Sequence, residues 1–257
     1  MFEPRQRLSS AEDMAMFSND KLSQKELSAF YTPSFYALVD VRPDESTFKQ
    51  FITDIIAGGV DIIQLRDKQA NDRTLLARSR ILKNCITASE RDVLFIMNDR
   101  PDLAMLAGAD GVHVGQEELP VALVRQLVGE LLIGVSTHSL EQARQAVQDG
   151  ADYIGAGPVF ESATKAFSQL AGVAYLREVA AEIALPAFAI GGITEERLDE
   201  VLHSGIRRVA VSSVLLEAEN PEETAKRWKG RITDYSVHSN GDIDSLGHQP
   251  SNVIRVD

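Results

Sequence analysis

The stretch Ile62-Ile63-Gln64-Leu65-Arg66-Asp67-Lys68 sets a short apolar run directly before a cluster of polar and charged residues. The run is too short for a helix and reads as a buried strand. The same arrangement recurs along the chain. Leu94–Met97 leads to Asn98 and Asp99, Gly111–Val114 to Gln116 and Glu118, and Leu132–Gly134 to Ser136. Tyr153–Gly155 leads to a loop with Thr164 and Lys165, Ala187–Ile190 to Gly191 and Gly192, and Arg208–Val211 to Ser212 and Ser213. With Tyr36–Val39 and Ile62–Leu65 the chain offers eight strand candidates. Between them lie stretches with helical apolar spacing, such as Phe48, Phe51, Ile52, Ile55 and Ile56, then Leu75, Leu76, Ile81 and Leu82. Eight strand–helix units with polar residues just past the strand ends predict an α/β fold, a (β/α)8 TIM barrel. Its site would lie at the C-terminal face of the strands.

The strand candidates are continuous apolar runs, as expected of a parallel sheet covered on both faces. Gly58–Gly59, Gly108, Gly150 and Gly205 fall just before strands, where a helix end favours a residue able to take positive φ. Three segments follow from these patterns. Residues 1–34 form a polar N-terminal extension with room for short helices, Ser23 being a plausible N-cap. Residues 35–231 form the barrel. Residues 232–257, rich in Ser, Asp, Asn and Gly, are expected to be a disordered C-terminal tail.

The bulk composition narrows the function. The length of 257 residues suits one barrel, and the single cysteine, Cys85, excludes a disulfide framework or a cysteine-cluster zinc site. A net charge of −12 argues against a nucleic-acid surface, which needs a basic face. No run approaches the roughly 20 apolar residues that span a bilayer, and the leader lacks a signal-type apolar core. The expectation is a cytoplasmic protein that acts on small molecules, without nucleic-acid or membrane partners, and compatible with a homo-oligomer.

Each polar cluster has a chemical and a plain reading. On a strand, Gln64, Arg66 and Lys68 share a face, while Leu65 packs the other way. Two cations directed into a semi-enclosed mouth suit a phosphate or diphosphate; a salt-bridged strand end, with Asp67 or another acid as partner, is as good an account of the residues alone. Asp99 suits Mg²⁺ if substrate phosphates complete the shell. It also suits a helix cap before Pro101, and the local pattern favours the cap. Glu118 is a second candidate metal ligand or an ordinary first-turn acid. Ser136 could bond a ligand, though no base stands ready to make it a nucleophile. Ser139 reads as an N-cap with Gln142 behind it. His113 and His138 read as structural, since no spacing links them to further metal ligands. Ser162, Thr164 and Lys165 suit phosphate oxygens on a long loop, or merely solvate it. Gly191-Gly192 and Ser212-Ser213 fall after strands seven and eight, the usual phosphate position of this fold.

Taken in order, several segments resemble the thiamine-phosphate synthase family. They are Gln64 through Lys68, Asn98-Asp99, Gly108 through Glu117, Gly134 through His138, Gly150 through Gly155, Thr164-Lys165 and Ala189 through Ile193. The resemblance covers about Phe35 to Arg231. It implies condensation of a hydroxymethylpyrimidine diphosphate with a thiazole phosphate, releasing diphosphate in a Mg²⁺-dependent transferase reaction. By the same resemblance, Gln64, Leu65, Arg66, Asp67, Lys68, Asn98, Ser136 and Lys165 hold the pyrimidine diphosphate. Arg66, Lys68, Ser136 and Lys165 would be catalytic. Ser162, Ala163, Thr164, Gly191, Gly192, Ser212 and Ser213 take the thiazole phosphate, and Asp99 and Glu118 take the metal. Glu118 stands where the family commonly has Asp, and Glu161-Ser162-Ala163-Thr164 replaces a Pro-Thr-x-Thr pattern.

The rival readings are a thiazole tautomerase and a non-catalytic thiazole phosphate-binding barrel. A tautomerase has no use for Arg66, Lys68, Asn98, Asp99 and Lys165 together. A further rival, a phosphosugar isomerase or epimerase, calls for paired acid–base residues, and none stands out.

Overall fold

The computed structural model describes residues 34–161 and 170–243. Eight parallel strands close into a barrel in sequence order. They are β1 (Phe35–Val39), β2 (Ile62–Leu65), β3 (Leu94–Asn98), β4 (Gly111–Val114), β5 (Leu132–Thr137), β6 (Tyr153–Ala156), β7 (Ala187–Ile190) and β8 (Val209–Val211). β8 pairs back onto β1, with Tyr36 beside Ala210. Around them lie α1 (Glu45–Ala57), α2 (Asp72–Ser89), α3 (Pro101–Ala107), α4 (Val121–Val128) and α5 (Leu140–Gln148). α6 (Gly172–Glu182), α7 (Leu198–Leu202), α8 (Ser213–Leu216) and α9 (Pro221–Ile243) complete the ring. The (β/α)8 barrel is therefore present, and each expected strand lies within a few residues of its place.

Alternation along each strand divides the apolar residues between two environments. Ala37, Val39, Ile63, Leu65, Met97, Val112, Val135 and Ile154 join the core between barrel and helices. Tyr36, Gln64, Asn98, His113, Ser136, Tyr153 and Phe188, on the opposite parity, face the cavity at the barrel mouth. On the helix side, Phe48, Phe51, Ile52, Ile55 and Ile56 of α1 are all buried. Each such side chain contributes about 1.5–3 kcal/mol relative to exposure. Asp44, Asn71 and Ser139 accept from the backbone N–H three residues on and so start α1, α2 and α5.

A repeated aspartate fastens the opposite end of the barrel. Asp61 accepts from Phe35 N at 2.9 Å, Asp110 from Phe95 N at 2.7 Å, and Asp152 from Ile133 N at 2.7 Å. In each case the carboxylate just before one strand satisfies the first or second amide of the strand before it. Gly59, Gly108, Gly150 and Gly205, just upstream of strands, have positive φ, as their placement predicts, whereas Gly58 stays right-handed at φ of −68°.

The tail expectation needs correction over residues 232–243. α9 runs through to Ile243, and Ile232, one residue beyond the expected end of the barrel, is fully buried. Its anchor is Trp228, fully buried and stacked on Phe35 at 6.1 Å between ring centroids. Lys229 adds an ion pair with Asp61 at 2.6 Å. A polar composition hid this helix because only one side of it needs apolar residues. Residues 244–257, and 1–33 of the expected extension with Ser23, lie outside the described residues.

Candidate active site

The strand ends surround one cavity of about 760 Å³. From β2 and its loop come Gln64, Arg66, Asp67 and Lys68; from β3, Asn98; from β5, Ser136. Gly191, Gly192, Ser212 and Ser213 line it from the β7 and β8 side. Leu65 does not join them. Strand parity turns its side chain outward, where it is fully buried in the core. Ser162, Ala163, Thr164 and Lys165 lie outside the described residues.

The salt-bridged reading of this strand end holds for Lys68, through an acid other than Asp67. Asp67 uses Oδ1 to accept from Gln69 N at 2.9 Å and Ala70 N at 3.0 Å, which shapes the turn after β2. Among the described residues Arg66 has no carboxylate within ion-pair distance, although it lines the cavity. Lys68 Nζ instead stands 3.7 Å from Asp99 Oδ2.

Asp99 is not a helix cap. The N-cap of α3 is Arg100, without a side-chain cap bond, and Asp99 sits one residue earlier with φ of 58°. Asp and Asn tolerate this left-handed conformation better than other side chains. Burial and the nearby charge of Glu118 push the Asp99 carboxyl above its usual range, against Lys68, Asn98 and Arg66, which pull it down. Glu118 is likewise not a first-turn acid, since α4 begins at Val121. Its carboxylate folds back over Gly115, where a Cβ would come within 2.5 Å of Oε2. Neither Asp99 nor Glu118 lines the main cavity; the pair lies beside it, at the Lys68 edge.

On the far side, Phe160 N donates to Gly191 O at 3.0 Å and Val159 N to Ile190 O at 3.0 Å. The β6 loop is thus pressed onto the β7 loop. A Cβ on Gly192 would meet Glu161 O at 2.3 Å and Phe160 O at 2.7 Å. Arg197 lies 4.7 Å from the Phe160 ring centroid and holds the same corner.

The floor of the cavity holds residues that the sequence reading left out. Tyr36, Tyr153 and Phe188 pack mutually edge-on or tilted, with centroids 5.2–6.1 Å apart. His113 contacts Tyr153 Oη through Nδ1 at 3.2 Å and Ser136 Oγ through Nε2 at 2.9 Å. Burial and the Arg66 charge hold its pKa down to about 4, so the ring is neutral. Inward parity on β1, β4, β6 and β7 was the available signal for all four. His138 also reaches the cavity, with Nδ1 2.5 Å from Gly157 O.

With this geometry in place, comparison with known proteins is decisive. Residues 35–215 match the family model described as thiamine monophosphate synthase. The chain belongs to the thiamine monophosphate synthase family. It is 48% identical over 196 residues to a thiamine-phosphate synthase of Rhodopirellula baltica, covering 74% of this chain and 52% of that relative. To the thiamine-phosphate synthase of Halalkalibacterium halodurans it is 40% identical over 189 residues, 73% of this chain and 88% of the relative. Several curated relatives are thus matched over only about half their length. The solved thiamine phosphate pyrophosphorylase from Pyrococcus furiosus superposes with a TM-score of 0.72 at 30% identity, over 79% of this chain and 96% of that one. A likeness to a geranylgeranylglyceryl phosphate synthase of Thermoplasma acidophilum, at 12% identity and a TM-score of 0.60, reflects the fold alone. Among the described residues no helix is long and apolar enough to cross a membrane.

Proposed function

We propose that the chain condenses 4-amino-2-methyl-5-hydroxymethylpyrimidine diphosphate with a thiazole phosphate to give thiamine phosphate and diphosphate. The observation that carries this reading is the division of one cavity. Arg66, Lys68 and the Asp99–Glu118 pair stand at one edge, and Gly191-Gly192 with Ser212-Ser213 line the other. Two phosphorylated substrates could enter the same cavity with their reacting ends meeting over its aromatic floor.

Asp99 and Glu118 fit Mg²⁺. Two carboxylates close enough for one to raise the other's pKa are relieved by a divalent cation. Among the described residues no third acidic, His or Cys ligand joins them, so substrate oxygens and water would complete the shell, as is common for Mg²⁺. When bound, the ion would neutralise charge on the diphosphate.

The protein's own part is electrostatic and positional. Arg66, unpaired among the described residues, and Lys68 meet the charge that develops as the C–O bond to diphosphate breaks. Asn98, Ser136 and Gln64 orient the pyrimidine half. The bonding pair leaves with diphosphate, and the thiazole nitrogen supplies the pair for the new C–N bond, so no strong general base is needed. Ser212 Oγ donates to Leu38 O at 3.2 Å, which sets the β8 loop for the thiazole phosphate with Ser213, Gly191 and Gly192. Lys165, Ser162, Ala163 and Thr164 enter the same reading through the family motif, with Lys165 on the diphosphate and the rest on the thiazole phosphate.

The test mixes purified protein with both substrates and Mg²⁺ and measures thiamine phosphate and diphosphate. Both should form together. Arg66→Met should lower turnover on the order of 10²-fold, the scale for removing one charge-stabilising group. Tautomerisation of the thiazole phosphate without condensation would overturn the proposal in favour of a tautomerase.

A further inference from the structure

Across the cavity floor runs a chain of polar side chains from five strands, four of them buried and the last half-buried: Gln64 on β2, Tyr36 on β1, Tyr153 on β6, His113 on β4 and Ser136 on β5. Gln64 Nε2 donates to Tyr36 Oη at 2.8 Å, and Tyr36 Oη lies 3.0 Å from Tyr153 Oη. Tyr153 Oη is 3.2 Å from His113 Nδ1, and His113 Nε2 is 2.9 Å from Ser136 Oγ. The two ends, Gln64 and Ser136, are residues assigned above to the pyrimidine substrate. The middle three have no role in that assignment.

We propose that Tyr36, Tyr153 and His113 are positioning residues that fix which hydrogen-bonding atoms Gln64 and Ser136 turn toward the pyrimidine-bearing substrate. The proposal rests on the synthase reading of the cavity. The assignment starts from Gln64, whose amide nitrogen can only donate. Tyr36 Oη accepts from Gln64, so its own proton goes on to Tyr153, because a buried hydroxyl proton without an acceptor is costly. In this assignment Tyr153 gives its proton to His113 Nδ1, 3.2 Å away. A neutral imidazole that accepts at Nδ1 carries its proton on Nε2. That N–H donates to Ser136 Oγ, which leaves the serine proton to donate into the cavity. At the other end, Gln64 commits one amide proton to Tyr36 and keeps its carbonyl oxygen as an acceptor. The substrate therefore meets a fixed donor at Ser136 and a fixed acceptor at Gln64, a pattern suited to a heteroaromatic ring with neighbouring ring nitrogens and an amino group.

The backbone is adapted to this chain of contacts. A Cβ on Gly134 would lie 2.1 Å from Tyr153 Cζ and 2.5 Å from His113 Nδ1. Gly134 is two residues before Ser136 on the same face of β5, so a glycine in mid-strand admits the Tyr153–His113 contact just beneath the serine.

The first test is ¹⁵N NMR of histidine-labelled full-length protein, with the His113 signals assigned by their loss in His113→Gln. The expected spectrum has a protonated, pyrrole-type Nε2 and an unprotonated, pyridine-type Nδ1. Protonation at Nδ1 would overturn the proposal. The second test is kinetic. Tyr153→Phe and His113→Leu should reduce kcat/KM for the pyrimidine diphosphate on the order of tenfold, about one hydrogen bond's worth, with KM for the thiazole phosphate unchanged. His113→Gln, whose amide can donate near the former Nε2 position, should recover most of that loss. His113→Leu combined with Ser136→Ala should be no worse than Ser136→Ala alone, because the histidine acts through the serine. Equal loss toward both substrates, or multiplied losses in the double variant, would overturn the proposal. Tyr153→Phe removes one oxygen atom and keeps the ring, so it remains informative if His113→Leu fails to fold. An absence of condensation by the unaltered protein would strike the synthase reading, whereas the tautomer of His113 is read without turnover, so the two failures are distinguishable.

Discussion

Lys68 Nζ stands 3.7 Å from Asp99 Oδ2, and this cation does not bring the Asp99 carboxyl down to an ordinary pKa. Burial comes first and the charge of Glu118 second in raising it, and together they outweigh Lys68, Asn98 and Arg66. Asp99 is thus held in a place that penalises its own ionised form. Such a cost is typical of a group retained for a ligand, and it runs against stability.

The sign of the pH effect follows. A carboxyl whose pKa is raised on folding stabilises the fold at pH values below its unfolded pKa, and that contribution is lost as pH rises through the folded pKa. Asp99→Asn removes the ionisation and keeps a residue that tolerates φ of 58°. The variant should melt higher than the parent at pH 7 without metal or substrate, and the gain should vanish near pH 3.5. Its Mg²⁺ requirement should rise by more than about tenfold. Thermal melts at the two pH values and a metal titration check both halves; a lower melting temperature at pH 7 would contradict the electrostatic account.

Gly192 has φ of 63° and no room for a Cβ, which would meet two backbone oxygens of the β6 loop. Gly192→Ala should cost about 1–3 kcal/mol and raise KM for the thiazole phosphate while sparing the pyrimidine diphosphate. Gly230→Ala is the control, since its Cβ would meet nothing within 4 Å and it lies inside α9. That change should be neutral or stabilise by up to about 1 kcal/mol. Steady-state kinetics and urea unfolding of the pair separate crowding at the site from a general glycine effect.

Ile232 tests the extent of the folded unit. Its side chain is fully buried on α9, in the same core as Trp228 and Ala225. Ile232→Ala should destabilise by about 2–4 kcal/mol, as expected for a large-to-small change in a packed core. A disordered tail beginning at that residue requires no change in the urea midpoint.

Much of the barrel was legible because its signal is local. Ile62–Leu65, Gly111–Val114 and Ala187–Ile190 are apolar runs bounded by glycine and polar residues, and they form strands at those positions. The polar residues just past them reach one cavity because every strand of such a barrel points the same way. α9 was missed after Arg231 because a helix packed on one side needs few apolar residues, and Ile232 and Tyr235 are too sparse to outweigh the polar composition. Asp99 resembled a cap because Asp often stands close to a helix start; Arg100 lies between it and Pro101, and with Pro101 as the first helical residue the N-cap position falls to Arg100.

The sequence alone thus determined the order of strands and helices, the face that carries the chemistry and the residue types available there, all of which depend on neighbours a few positions apart. The tertiary structure decided which side chains share a space. Leu65 turns away from Gln64 by strand parity, Lys68 reaches Asp99 on the next strand's loop, and His113 meets Ser136 and Tyr153 only when β4, β5 and β6 lie side by side. Those contacts join residues from separate strands, and local propensity carries no record of the sheet's closure that brings them within bonding distance.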